Sequence, residues 1–198
     1  EGPLTGEAVR GVVVRLVEAT ISDDPTSRSL GQIIPAARRA VHAALVTAAP
    51  RMLEPVYDVE VLTTVPHARL LRGIVARRRG SVRGQQPQPG TPFLRVQAQL
   101  PVLDSFGFET DVRLMTKGEA MPLSTFGGWQ LVPGDPLDES VTLTLLEPSD
   151  SDALGRELML KTRRRKGLDE RMVMEDFIDP SQREEFASLV ESDDDDFE

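Results

Sequence analysis

The stretch LEPVYDVEVLTTVPHARLLRGIVARRRGSV (53–82), continued by PFLRVQAQLPVLDSFGFETDVRLMTKGEAMPLSTFGGWQL (92–131), decides the fold. Tyr57, Val59 and Val61 alternate with Asp58 and Glu60, the period of a half-buried strand. Pro66 then opens a helix in which Leu70, Leu71, Ile74 and Val75 recur at helical spacing, and Leu70 and Ile74 are expected in its core. Arg77, Arg78 and Arg79 followed by Gly80 suit a helix C-terminus, where cations complement the dipole. Ser81 to Gln86 predicts a short strand, and Pro87 to Pro92 a proline-rich loop. Leu94, Val96, Ala98 and Leu100 alternate with Arg95, Gln97 and Gln99, the cleanest strand signal of the chain. Asp104 or Ser105 is the expected cap of a second helix, which carries Val112 toward the core and stops at Gly118. A last strand is expected over about Met121 to Leu131. The order β-α-β-β-α-β is the split βαβ of a ferredoxin-like unit.

Upstream of this unit, residues 10–21 are rich in β-branched residues and predict a strand. Ser22 to Gly31 is loop chemistry, and Pro35 fits the start of a helix running through Ala36 to Ala48. A strand, a loop and one helix cannot bury a core, so this part is expected to be the end of a domain. Downstream, Pro133-Gly134-Asp135-Pro136 is a turn. An extended stretch, a polar linker (148–152), a helix from Ala153 to about Arg165, a short helix within 176–191 and a disordered acidic tail (192–198) are expected to follow. The fold class expected for the whole is α+β, divided at 1–53, 54–137 and 138–198.

The 198 residues are 39% apolar and 28% charged, with a formal net charge of −9, the composition of an ordinary globular chain. The three parts carry +1, +1 and −11, so the acidity belongs to the last third. That balance argues against a general nucleic-acid binder. No apolar run approaches the roughly 20 residues of a membrane span, and no membrane partner is expected. Cysteine is absent, which excludes disulfide scaffolds, thiol nucleophiles and cysteine zinc sites. The chain opens on Glu1 without a signal-like stretch and is expected to be a fragment of something longer.

No GxGxxG, GxxxxGK[ST] or GxSxG motif occurs, so dinucleotide, P-loop and nucleophile-elbow chemistry are not encoded. The aspartates at 193–196 form a solvated run without fixed coordination geometry. His42, on an alanine-rich helix beside Arg38 and Arg39, reads as a surface or packing residue. Catalytic, cofactor-binding and metal-binding residues are therefore expected to be none. Arg77 to Arg79 either bind RNA phosphate or complement the helix dipole, and the dipole is favoured. Arg163, Arg164, Arg165 and Lys166 contact phosphate, serve nuclear import, or pair with carboxylates of a neighbouring domain. Arg28 would extend from a loop tip toward whatever that loop touches. The candidate partner or RNA contacts are thus Arg28, Arg38, Arg39, Arg163, Arg164, Arg165 and Lys166.

Seven segments in collinear order carry a resemblance: GQIIPAARRA (31–40), LEPVYDVEV (53–61), RRRGSV (77–82), PGTP (89–92), LPVLDSFGFETDVR (100–113), WQLVPGDPLD (129–138) and KTRRRKGL (161–168). Together they resemble the C-terminal end of the elongation factor 2 family. The resemblance implies that 1–53 is the latter part of domain IV, a ribosomal-protein-like α/β unit, and that 54–137 is the ferredoxin-like domain V. At the domain IV tip the translation factors carry a modified histidine in a His-Arg-Gly-Gly-Gly-Gln pattern. This chain has Ser27-Arg28-Ser29-Leu30-Gly31-Gln32 there, and Ser27 cannot carry that modification.

LLEPSDSDALGRELMLKTRRRKGL (145–168) and its continuation are similar to the spliceosomal branch of the family, the elongation-factor-2-like GTPases of the U5 small nuclear ribonucleoprotein. That resemblance implies a nuclear GTP-binding parent, with GTP and magnesium held in a domain upstream of this chain. It implies association with the large U5 scaffold protein, an indirect influence on the helicase that unwinds U4/U6 RNA, and contact with U5 RNA. Such a parent acts in spliceosome activation and disassembly. This chain would supply docking surface and conformational coupling, not catalysis. The alternatives are the same region of a ribosomal translocase and a free-standing RNA-binding module. The second needs aromatics on the central strands, where only Phe93 lies near the third and Val82 and Arg83 occupy the second.

Overall fold

The computed structural model describes residues 1–143, 149–172 and 177. The chain divides into two compact units, Leu53–Val132 and Glu1–Met52 together with the chain from Pro133 on, and each is described by itself.

The Leu53–Val132 unit is a four-stranded sheet with helices threaded between its strands. Strand β1 (Leu53–Thr64) leads directly into helix α2 (Val65–Ala76), numbered after the upstream helix α1 (Leu30–Thr47). Strands β2 (Ser81–Pro87) and β3 (Phe93–Pro101), helix α3 (Phe108–Met115) and strand β4 (Met121–Leu131) follow. The sheet order is β2-β3-β1-β4 with every neighbour antiparallel, as the split βαβ requires. Cross-strand partners share a face, so Val59 opposite Ala98 and Val61 opposite Val96 line up on the side that packs against the helices. Leu71, Ile74 and Val75 of α2 and Phe108 and Val112 of α3 complete this core.

Several details depart from the sequence expectation. Leu70 is exposed, and Leu71 takes the core position beside Ile74. The turn that follows α2 is closed by Arg79, not a glycine, in the left-handed region (φ 55°). Gly80 is needed for a different reason, since a Cβ there would lie 2.7 Å from the Gln99 carbonyl oxygen and 2.7 Å from Val75 Cγ1. Neither Asp104 nor Ser105 caps α3. A short 3-10 turn occupies Val102–Asp104, and Gly107 (φ 77°) stands at the helix N-cap. Thr116, fully buried beyond α3, donates to the Val112 carbonyl (2.7 Å) and accepts from the Ala120 amide (3.3 Å), so its hydroxyl costs the core little.

In the other unit, residues 10–21 form no strand, because among the described residues this unit offers no sheet edge for their backbone groups. Their side chains are exposed. Helix α1 starts at Leu30, five residues before the expected Pro35, which lies inside it. A proline there forfeits the bond its missing N–H would make to Gly31 and crowds that carbonyl, at a point close to the helix end where few bonds precede it. Beyond Pro133 the described residues form helix α4 (Leu154–Lys166), preceded by a 3-10 turn at Ser151–Ala153. The helix expected within 176–191, apart from Phe177, and the acidic tail lie outside the described residues.

Candidate interaction surface

Two close approaches fix the start of α4. The Gly155 amide donates to the Pro133 carbonyl at 2.9 Å. A Cβ on Gly134 would fall 1.9 Å from the Asp152 carbonyl oxygen, so that turn admits only glycine. At the other end Gly167 adopts φ 68°, and the Leu168 amide returns to the Arg163 carbonyl at 2.9 Å. The last turn between them holds Arg163, Arg164, Arg165 and Lys166, cations where the helix dipole favours them.

Successive helical positions point about 100° apart, so the four cations meet different partners. Arg163 is buried, 7% exposed, and is satisfied by backbone: Nη1 donates to the Leu4 carbonyl at 2.7 Å and the Pro3 carbonyl at 3.2 Å, and Nε donates to the Asp169 carbonyl. The segment it grips is a tight turn in which the Gly2 amide donates to Glu7 (2.7 Å) and the Gly6 amide to Gly2 (3.0 Å). Lys166 pairs with Glu7 of the same turn at 2.5 Å. Arg164 forms a two-pronged pair with Glu170, 2.6 and 2.9 Å. Its hydrogen bond holds the Glu170 carboxyl below the ordinary glutamate value, and the Arg164 guanidinium is raised in turn. Arg165 is exposed, with no partner among the described residues.

The other candidates sit on separate elements. Arg28 closes a one-turn 3-10 helix, Pro25–Arg28, and donates to the Asp23 carbonyl at 3.0 Å. Asp24 caps that turn by accepting from the Thr26 hydroxyl (2.6 Å) and amide (3.0 Å), which lowers its carboxyl from the usual aspartate value. Arg38 and Arg39 are exposed on α1. His42 packs: its Nε2 lies 3.1 Å from the Glu1 carbonyl, and its ring meets Phe177 edge-on at 5.8 Å.

The three arginines after α2 also divide. Among the described residues Arg77 makes one polar contact, to the Met115 sulfur (3.8 Å), and Arg78 pairs with Asp111 at 2.7 Å. Arg79 enters a network that sequence reasoning missed. Its Nη1 and Nη2 reach the two Glu54 oxygens at 3.0 and 2.8 Å, and its Nε reaches Asp104 at 2.6 Å. Gln130 donates to the same Glu54 at 3.1 Å. Burial works against the Arg79 charge, but Glu54 and Asp104 outweigh it and raise the guanidinium further. The available signal was Glu54 itself, a carboxylate at the head of a half-buried strand.

Among the described residues no three histidine or acidic side chains are grouped as a metal site would need. The arrangement offers exposed cations at Arg28, Arg38, Arg39 and Arg165 and a helix clamp at Arg163. It belongs to a recognisable class: residues 1–49 match elongation factor G, domain IV, and residues 51–140 match the elongation factor G C-terminus. Along 187 residues, 94% of this chain, it is 47% identical to the 110 kDa U5 small nuclear ribonucleoprotein component CLO of Arabidopsis thaliana. The 109 kDa component GFL of the same plant matches equally, at 47% over 187 residues. The pre-mRNA-splicing factor cwf10 of Schizosaccharomyces pombe is 46% identical over 168 residues, 85% of this chain. The chain belongs to the elongation-factor-type family, in its U5 small nuclear ribonucleoprotein branch. It spans about a fifth of the length of these relatives, 19% of the first two and 17% of the third.

Proposed function

We propose that this chain is the C-terminal docking and conformational-relay part of a GTP-binding U5 component acting in pre-mRNA splicing. The observation that carries the reading is the reach of the match. An alignment over 187 of 198 residues runs well past residue 140, where the elongation factor G C-terminus ends, and so includes most of the extension. The two Arabidopsis relatives that share that segment are U5 small nuclear ribonucleoprotein components. On this reading the parent resides in the nucleus and holds GTP and magnesium in an upstream domain. It leans on the large U5 scaffold protein and influences the U4/U6-unwinding helicase through domain movement. Such coupling requires contacts that differ between two arrangements.

Affinity purification of the tagged chain from nuclear and cytosolic extracts, with the bound RNA and protein identified, tests the reading. Recovery of U5 RNA with the scaffold protein supports it. Recovery of ribosomal RNA would assign the chain to translation instead.

A further inference from the structure

From Val61 to Leu103 the sequence contains no aspartate or glutamate, while Arg69, Arg72, Arg77, Arg78, Arg79, Arg83 and Arg95 fall in the same interval. Folding sorts these arginines by partner. Arg78 pairs with Asp111, Arg79 with Glu54 and Asp104, Arg83 with Asp58, and Arg95 with Glu60. All those carboxylates come from outside the acid-free interval. Arg69, Arg72 and Arg77 pair with no carboxylate among the described residues, and all three are exposed.

These three share one face of α2. The buried residues Ala68, Leu71, Ile74 and Val75 define its inner side. At about 100° per residue, Arg69, Gly73 and Ala76 run down the opposite side, with Arg72 and Arg77 on its two flanks. Gly73 and Ala76 are exposed, and a Cβ built on Gly73 meets nothing within 4 Å. The outer face therefore sets the small residues Gly73 and Ala76 beside Arg69, with Leu70 also exposed and Arg72 and Arg77 on the flanks, so that three uncompensated guanidiniums spread over about 12 Å of helix. A broad chain of negative charge can approach this helix closely, and arginine forks match phosphate oxygens two at a time.

We infer that the outer face of α2 is a docking surface for the phosphodiester backbone of RNA. The inference deepens the ribonucleoprotein reading and rests on it for the class of polyanion. It requires no stacking aromatics on the sheet, because contacts to the backbone position an RNA without reading its bases. It also removes the objection raised by the net charge of −9, since the acidity lies in the last third and the phosphate sees the local field.

Fluorescence anisotropy of a labelled oligouridylate, titrated with the full chain between about 50 and 200 mM salt, measures this directly. The variant R69Q/R72Q/R77Q should weaken binding at least about tenfold and flatten the salt slope by about 2, since each single-strand phosphate contact contributes about 0.7. R15Q/R51Q/R171Q removes the same charge from the other unit and should change affinity by less than about twofold. Where the first variant melts early, G73E, with every arginine retained, places a carboxylate in the middle of that face and should weaken binding as well. Parental binding by both α2 variants overturns the inference. So does an oligoglutamate peptide that binds tighter than the RNA, which would assign the face to an acidic protein. These measurements use purified components, so their failure leaves the extract experiment standing, and the two readings fail separately.

Discussion

Arg79 meets Glu54, a carboxylate only 1% exposed, through two parallel hydrogen bonds, from a backbone held at φ 55°. The pair ties the end of α2 to the head of β1, and Asp104 and Gln130 add β3's exit and β4 to the same knot. Removing one partner of a buried pair leaves a charge that water cannot reach. Arg79→Ala should therefore cost about 3 kcal/mol, the low end for such pairs because the arginine is partly exposed. Glu54→Gln should cost less, since it removes the charge and keeps a polar group. The double variant should recover part of the Arg79→Ala loss. Urea midpoints of the four proteins check this cycle, and purely additive losses would refute the coupling.

Arg163 organises the other unit in the same way, but with carbonyl oxygens as acceptors. Arg163→Ala strands the Pro3 and Leu4 carbonyls in a buried turn, at about 1–3 kcal/mol. The loss should appear locally, as faster amide exchange of residues 4–7 and earlier proteolysis near the N-terminus. Replacing all of Arg163 to Lys166 by alanine should loosen the turn further, through the lost Glu7 pair. Unchanged exchange in both variants would refute the clamp.

What the sequence made legible follows the range of the interactions. The strand 94–100 and the four-stranded order rest on period-two alternation, which the sheet observes because one face is buried by α2 and α3. Residues 10–21 are richer in β-branched residues than that strand, yet composition cannot supply a partner edge, and no strand formed. Pro35 misled because its tolerance depends on how many helical bonds precede it. The contacts of Arg79 and Arg163 were illegible for another reason. One joins residues 25 apart and the other about 160 apart, and nothing local in an arginine says which distant oxygen it will meet.

The Arg164–Glu170 pair gives a pH signature. The depressed Glu170 carboxyl means that the folded chain holds this proton less tightly than the unfolded chain does. Its contribution is therefore complete above the ordinary glutamate value, and it is lost as pH falls from that value through the depressed one. Carboxyl NMR titration should place the Glu170 midpoint below that of an unperturbed glutamate. Arg164→Gln should return it to the ordinary range. A midpoint that does not move on substitution would refute the assignment.

Leu70 and Leu71 provide the sharpest contrast in the ferredoxin-like unit, because neighbouring leucines on one helix face opposite fates. Leu71 is fully buried in the cluster with Ile74, Val96 and Val112, whereas Leu70 is 46% exposed. Leu71→Ala removes side-chain burial and leaves a cavity, costing about 2–5 kcal/mol. Leu70→Ala trades a surface leucine for a better helix former and should stay within about 0.5 kcal/mol of the parent. Thermal and urea denaturation of the two variants decide which leucine the sheet packs against. Equal losses would mean that α2 is rotated on the sheet. The outward strip of Arg69, Gly73 and Ala76 would then turn partly inward, and the proposed RNA surface would fall with the packing.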